Sequence, residues 1–261
     1  MFARIKAIVL SHLIRQRRDF NRICEIIIWP VFDLFIWGFM SVWIMRGTGD
    51  MNAASIPLYG IFFWQVVFAQ ASQGISLHML DEFFGKNLTS LISSPLTVYE
   101  WLLGLMIMGV LRVCAVFMVG ALFLKLFFGA SIFLFGTLLL PLIMLMLLAG
   151  WAFGLLTGCL IFIWGNRASA FIWATWMFTA FCGVFGPLDV MPYWIQKIGM
   201  CLPMTYPIMI AQQYLVHGTV VPDLMYTGFV LNVLWFCGAL LAFFLLFTRA
   251  KYYGLNRLQE E

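Results

Sequence analysis

The sequence predicts an all-α integral membrane protein, and three observations carry this prediction. Of the 261 residues, 64% are hydrophobic, only 10% are charged, and the mean hydropathy is +0.99, whereas a soluble domain of this length carries about a quarter charged residues. Several apolar runs exceed the roughly 18 to 20 residues that a helix needs to cross a bilayer. The sequence lacks the short alternating segments of a membrane β-barrel, so the runs are predicted to be helices. We therefore expect one transmembrane domain over residues 1–261.

Six transmembrane helices are predicted, and the basic residues indicate their orientation. The spans are expected over residues 25–45, 56–80, 99–125, 132–164, 168–185 and 224–248. One group of loops and ends holds the six basic residues of the first 22 positions, with Lys86, Arg167, Arg249, Lys251 and Arg257. The other group holds only Arg46, Lys125 and Lys197. Because basic loops stay in the cytoplasm, both termini are predicted to be cytoplasmic.

The first 22 residues are predicted to form an amphipathic helix at the membrane interface. At 100° per residue, the apolar and the basic side chains fall on opposite arcs. The apolar arc holds Phe2, Ile5, Ile8, Val9, Leu13 and Phe20, and the basic arc holds Arg4, Lys6, Arg15, Arg17, Arg18 and Arg22. Such a helix lies with its apolar side toward membrane lipids and its basic side toward anionic headgroups. We interpret it as an anchor for the first span, with a brace for a partner protein as the alternative.

The stretch 81–94 is both polar and helical in its periodicity. Apolar side chains recur at helical spacing at Phe84, Leu88, Leu91 and Ile92, while Asp81, Glu82 and Lys86 are among the polar positions. Pro95 ends the pattern, because proline cannot continue a helix and disfavours helical geometry at the residue before it. Apolar runs flank the stretch on both sides. A short helix in this place is expected to lie at the membrane surface or against another protein.

The segment 186–223 carries five prolines and is predicted to form re-entrant or interfacial hairpins on the external side of the membrane. Two short helices are expected, at about 192–202 and 207–216, and each is too short to cross a bilayer. Backbone broken at membrane depth is tolerated only where it is buried in protein or lines a wet cavity.

Two charges, Asp33 and Arg112, fall within predicted spans at similar depth. An unpaired charge near the bilayer centre is costly. Our hypothesis is that these two side chains pair between the first and third spans as a structural tie. The alternative is that Arg112 faces the transport pathway and meets an anionic group of the substrate.

The sequence contains none of the common catalytic or nucleotide-binding motifs. It has no GxxxxGK[ST], HExxH, GxSxG or CxxC pattern. The three histidines lie in different regions without metal-ligand spacing, and the six cysteines are scattered, mostly in apolar runs. We therefore predict no catalytic residues, no metal site, no bound cofactor and no enzymatic activity of this chain. Basic residues concentrated at the chain ends set topology, so no nucleic-acid partner is expected.

The order of these elements resembles the ABC transporter permeases of the second exporter type, the membrane subunits of polysaccharide, lipid and drug exporters. Two local patterns carry the resemblance. One is GKNLTSLISSPLTVYEWLLG, with Ser94, Pro95, Glu100 and Gly104 at the family's positions. The other is FGPLDVMPYWIQKIGMCLPMTYP, with Pro187, Pro192, Trp194, Ile195, Gln196, Pro203, Thr205 and Tyr206. The resemblance covers nearly the whole chain.

The resemblance implies a permease homodimer in a bacterial inner membrane, with two copies of a soluble ABC ATPase beneath it that bind ATP and Mg²⁺. The stretch 81–94 then corresponds to the coupling helix that docks on the ATPase. Its implied contact residues are Glu82, Phe84, Lys86, Leu88, Leu91 and Ile92, with Glu82 and Lys86 fixing orientation at the rim. The implied gate at the outer mouth is formed by Pro187, Pro192, Trp194 and Pro203.

The expected cargo is an amphipathic lipid, a lipid-linked glycan or polysaccharide, or a hydrophobic drug. Two alternatives from other functional classes are kept. A secondary transporter driven by an ion gradient would use acidic residues within the spans, of which Asp33 is the one visible. A membrane scaffold protein would have no transported substrate.

Overall fold

In this computed structural model, residues 2–49, 51–85 and 96–253 are described, and they form helices joined by short turns. The α-helices are α1 (Phe2–Arg18), α2 (Phe20–Thr48), α3 (Met51–Phe62), α4 (Ala69–Phe84), α5 (Val98–Phe128), α6 (Leu139–Trp164), α7 (Ser169–Ala174), α8 (Tyr193–Cys201), α9 (Thr205–His217) and α10 (Pro222–Tyr253). A π-helix, Phe63–Phe68, joins α3 to α4. The 3₁₀-helices are Ile132–Leu138, Gly165–Ala168, Thr175–Ala180 and Leu188–Val190. No strand occurs in the described ranges, so the all-α class is as predicted.

Five helical segments of the described chain are long and apolar enough to cross a membrane. They are Phe20–Thr48, Ala54–Phe83, Val98–Phe128, Ile132–Trp164 and Pro222–Ala250. The second of these runs through α3, the π-helix and α4, and 94% of its most apolar window is buried inside the bundle. The most apolar windows of the other four are only 17% to 44% buried, so these helices expose much of their apolar surface. This arrangement is that of a multi-pass membrane protein.

The predicted span at 168–185 is not a single long helix. The chain there consists of the 3₁₀-helix Gly165–Ala168, the six-residue α7 and the 3₁₀-helix Thr175–Ala180, followed by turns. Gly165 and Gly183 have positive φ angles, which end helical geometry at both sides. Thr179 donates a hydrogen bond to the carbonyl of Trp176, 2.6 Å away, and such local bonds compete with the α-helical ladder.

The helices α6 and α10 run in the same direction, because residues later in α6 contact residues later in α10. Phe153 stacks on Trp235 with ring centroids 5.5 Å apart, and Phe162 packs against Phe243 at 5.7 Å. The end of α6 and the start of α10 therefore lie at opposite ends of the bundle. The intervening chain has to return along its length.

The broken segment 165–185 makes this return. Phe171 stacks on Trp164, the last residue of α6, with centroids 4.8 Å apart. The carbonyl of Val184 lies beside Gly60 of α3, so close that a Cβ at Gly60 would stand 2.0 Å from its oxygen. Short helices can occupy this depth because they pack on neighbouring helices, which bury part of their backbone.

The start of the chain packs on the bundle. Ile5, Ile8 and His12 of α1 are buried, and Ile8 contacts the backbone at Gly104 of α5, whereas Phe2 is exposed. Part of the apolar arc that was predicted to face lipid therefore packs against the protein, and only the rest is exposed. Asp19 ends α1 and caps α2 by accepting a hydrogen bond from the backbone N–H of Arg22.

Close packing between α4 and α6 depends on glycine. A Cβ at Gly154 would lie 2.6 Å from the carbonyl oxygen of Ser72 and 3.1 Å from the Cβ of Ile75. A Cβ at Gly150 would lie 2.6 Å from the Cβ of Ala71. Small residues at such positions let two helix backbones approach, which drives helix association in membranes.

We predict that Gly154→Val destabilises the protein by about 1 to 3 kcal/mol, because the added side chain overpacks the α4–α6 contact. The matched control is Gly238→Val on α10, where nothing lies within 4 Å of the added Cβ. Denaturant unfolding in detergent micelles measures both variants. Equal stability of the two variants would contradict the packing described here.

Candidate functional site

The structure contains a polar cavity of about 330 Å³ between the helices of the apolar bundle, and it is open at the side where Glu25 and Trp29 are exposed. Its wall is built by α2, by the π-helix and α4, by α5, and by the broken segment through Trp176. The polar side chains that line it, apart from Arg22, are Glu25, Asp33, Gln65, Gln70, Gln73 and Arg112. Polar groups are expensive in a bilayer and mark substrate or ion pathways. This cavity is therefore the candidate functional site.

Asp33 is held by Gln65 of the π-helix. The Nε2 of Gln65 donates to Oδ2 of Asp33 over 2.6 Å. Gln65 is only 4% exposed, and its Oε1 has no hydrogen-bond partner among the described residues. The π-helix adds a residue to the helical turn, and such local bulges occur often at functional sites. Gln65 therefore presents an unused acceptor beside a carboxylate.

Arg112 lies in the middle of α5 and is only 4% exposed. Its Nε and Nη2 donate to Oε1 of Gln70 over 3.2 and 3.1 Å, and Nη2 also donates to Oε1 of Gln73 over 3.0 Å. Since a guanidinium can only donate, both amides must turn their oxygens toward it. No carboxylate of the described residues lies within 4 Å of Arg112.

The hypothesis of a direct Asp33–Arg112 pair is therefore replaced by a different arrangement. Both side chains line the same cavity, as their similar predicted depth suggested, but each is bound by glutamine amides. The glutamines were visible in the sequence of the second span. Which charge each one contacts depends on the rotation and tilt of three helices, which no spacing within one helix reveals.

A second group of polar side chains connects the last turn of α4 to three other helices. Arg22 of α2 binds the carboxylate of Asp81 with two guanidinium nitrogens, one of them at 2.7 Å. Glu82 accepts a hydrogen bond from the indole N–H of Trp101 of α5 over 2.6 Å, and His12 Nε2 of α1 lies 2.9 Å from its other oxygen. We call these five residues the α4 clamp.

His78 extends the clamp by one helical turn. Its ring centroid lies 4.5 Å from that of His12, and its Nδ1 lies 3.8 Å from Oδ2 of Asp81. Both imidazoles are almost completely buried. The residue was assigned no role from sequence, because a single histidine on a span has no distinguishing pattern.

Glu82 does not lie where the resemblance implied. It is 1% exposed and turned inward to Trp101 and His12, so its carboxylate joins helices within the chain instead of orienting a partner at a rim. Phe84 is the last residue of α4. Lys86, Leu88, Leu91 and Ile92 lie outside the described residues.

Glu100 has a structural role at the start of α5. Thr97 and Glu100 form a capping box, in which the Thr97 side chain accepts from the Glu100 N–H and Glu100 accepts from the Thr97 N–H. Arg4 of α1 also reaches Glu100 at 3.5 Å. The acidic residue in the family-like pattern thus fixes where α5 begins.

The predicted gate residues mark the short helices at the far end of the bundle. Pro187 precedes the 3₁₀-helix Leu188–Val190, and Pro192 precedes α8. Trp194 of α8 is exposed, with one edge toward Phe181. The carbonyl of Pro203 accepts a hydrogen bond from Asn232 of α10 over 2.9 Å.

No protein-family model matches this chain, and no curated protein sequence matches it. The resemblance to exporter permeases therefore rests on the two sequence patterns and their places along the chain. Among the described residues, no group of three or more His, Cys, Asp or Glu side chains could hold a metal ion.

We predict that Trp101→Phe lowers the free energy of unfolding by about 1 to 3 kcal/mol, because buried Glu82 loses its indole donor. Trp43→Phe is the matched control, since Trp43 is exposed on α2. Unfolding in detergent measures both. If the Trp101 variant is as stable as the Trp43 variant, the hydrogen bond between Trp101 and Glu82 does not stabilise the clamp.

A pair of double-mutant cycles tests the charge arrangement. Arg22→Gln with Asp81→Asn should give a coupling energy of about 1 to 3 kcal/mol, because the two side chains bind directly. Asp33→Asn with Arg112→Gln should give about 0.5 kcal/mol or less, because the two side chains share no partner among the described residues. Unfolding free energies of the single and double variants supply both values. A larger coupling energy in the second cycle would support the direct pair of Asp33 and Arg112.

Proposed function

We propose that this chain is the membrane-spanning permease subunit of an ATP-driven exporter in a bacterial inner membrane. It works as a homodimer with two copies of a soluble ABC ATPase, which bind ATP and Mg²⁺. The observation that carries the proposal is the position of the α4 clamp. It connects α1, α2 and α5 to Asp81 and Glu82, the first two residues of the stretch 81–94 that resembles a coupling helix.

The clamp supplies a physical route for transmitting force. A displacement of the chain after Phe84 acts on Asp81 and Glu82. These carboxylates are hydrogen-bonded to α2 and α5, and Glu82 also lies 2.9 Å from His12 Nε2 of α1. Glu82 is buried and Asp81 is partly buried. Their contacts resist separation, because a charge left without a partner in an apolar interior costs several kcal/mol. The helices would therefore follow the displacement as connected bodies, as in domain shear motions.

The proposed topology has six crossings with both termini in the cytoplasm. The parallel course of α6 and α10 supports it, since the broken segment 165–185 returns along the bundle between them. The excess of basic residues on one side of the predicted topology supports the same orientation. The short helices near Pro187, Pro192, Trp194 and Pro203 then lie outside and border the outer mouth.

The polar cavity is proposed as a place where cargo is held on its path. It lies between α2, α4 and α5, the helices that the clamp joins, so a displacement at the clamp changes its shape. A cavity of about 330 Å³ accommodates a headgroup or one sugar ring, not a whole lipid. The cargo classes are those expected from sequence: an amphipathic lipid, a lipid-linked glycan or polysaccharide, or a hydrophobic drug.

One observation favours a second candidate, an ion-coupled secondary transporter. Asp33 is an acid within a long apolar helix and lines a cavity, and acids in such places relay protons in transporters. Proteoliposomes distinguish the two mechanisms. Transport driven by a pH gradient in the absence of any ATPase would favour the ion-coupled protein.

The test of the exporter proposal is purification of the tagged chain from its native membrane. A soluble polypeptide with a GxxxxGK[ST] motif should co-purify with it. Phe84→Ala combined with Leu88→Ala should reduce the recovered ATPase about tenfold or more, because the two apolar anchors of the contact are removed.

The matched control carries Phe133→Ala and Leu134→Ala, which remove the same two side-chain types from an exposed site preceding α6. This control should retain the ATPase. Size-exclusion profiles show that both variants are folded. The proposal is wrong if the ATPase is recovered equally with both variants, or if none accompanies the intact chain.

A further inference from the structure

The charged groups in the cavity are unevenly distributed. Arg22 is neutralised by Asp81 of the clamp. The remaining acids, Glu25 and Asp33, both belong to α2, whereas the remaining base, Arg112, belongs to α5. The cavity therefore has an acidic wall and a basic wall, each held by its own contacts.

The acidic wall offers acceptors that lack donors. Within the described part of the chain, Asp33 receives one side-chain hydrogen bond, from Gln65, and Oε1 of buried Gln65 has no partner. A buried acceptor without a donor costs about 1 to 3 kcal/mol. Trp29, which is 52% exposed, adds an aromatic ring to this wall. Carboxylates and an indole face are the groups that bind an ammonium ion.

The basic wall offers donors that lack an anion. Arg112 is 4% exposed and its described contacts are to neutral amides. Because Gln70 and Gln73 turn their oxygens to the guanidinium, the parts of these amides that remain for other contacts are N–H groups. A guanidinium flanked by amide donors is suited to a phosphate group.

We propose that the cavity binds a zwitterionic headgroup, with its ammonium at Asp33 and Gln65 and its phosphate at Arg112. The ligand chemistry is that of phosphoethanolamine, free or as part of a lipid. Such a headgroup supplies the missing donor and the missing anion at once. This assignment rests on the proposed function only in taking the cavity as the place where cargo is held.

Binding by the purified chain alone, without any ATPase, tests the assignment. The probes are dihexanoyl phosphatidylethanolamine, dihexanoyl phosphatidylglycerol and free phosphoethanolamine, titrated by calorimetry below their micelle concentrations. The intact protein should bind the phosphatidylethanolamine probe about tenfold more tightly than the phosphatidylglycerol probe, since only the former has an ammonium group. Equal binding of the two lipids would overturn the proposal without any variant.

The variants separate the two walls. Asp33→Asn should weaken binding of the phosphatidylethanolamine probe about tenfold and leave binding of the phosphatidylglycerol probe unchanged. Arg112→Gln should weaken binding of both probes. Lys197→Gln, on exposed α8, is the control and should change neither. An Asp33 variant that affects both lipids equally, or an Arg112 variant that affects neither, would also overturn the assignment.

The free headgroup identifies the source of the ligand. Free phosphoethanolamine that binds as tightly as the lipid identifies a soluble zwitterion, and binding that requires the acyl chains identifies a lipid. Either result supports the headgroup site. If neither probe binds, the proposed headgroup site is wrong. Failure of the ATPase to co-purify would leave these titrations unaffected, so the two proposals fail separately.

Discussion

The attachment of α4 to its neighbours through Asp81 and Glu82 is the interaction on which the rest of the structure depends. The two carboxylates are adjacent in sequence but turn to different helices, Asp81 to Arg22 of α2 and Glu82 to Trp101 of α5. Glu82 is buried and Asp81 is partly buried, and such carboxylates need partners because an apolar interior offers little water to replace them. Around this fixed end, α4 is packed on both sides and becomes the central helix of the bundle.

The same requirement explains the cavity. The central helix brings Gln65, Gln70 and Gln73 into the bundle, where only other buried polar groups can satisfy them. Asp33 and Arg112 are the groups available at that depth. Each glutamine group satisfies one charge, so the opposite charges remain apart and the space between the helices stays polar. The same contacts therefore satisfy the hydrogen bonds of the buried glutamines and shape a cavity that can bind a ligand.

The broken segment 165–185 connects the two ends of the bundle and contributes Trp176 to the cavity wall. Its apolar composition resembles that of a span, which is why a single helix was predicted there. The glycines at positive φ and the side-chain bond of Thr179 end the helical geometry locally. Composition reports how apolar a segment is, but helical continuity depends on a few backbone positions and on what the neighbouring helices cover.

The sequence by itself determined the all-α membrane class, the approximate limits of five long helices, and the presence of Asp33 and Arg112 at similar depth. These properties follow from hydropathy and from the fixed rise of a helix, which are local. Only the tertiary structure decided that these charges bind glutamines instead of each other, and that Glu82 faces inward to Trp101 and His12. The rotation of each helix about its axis settles such contacts, and it is set by packing against all neighbours together.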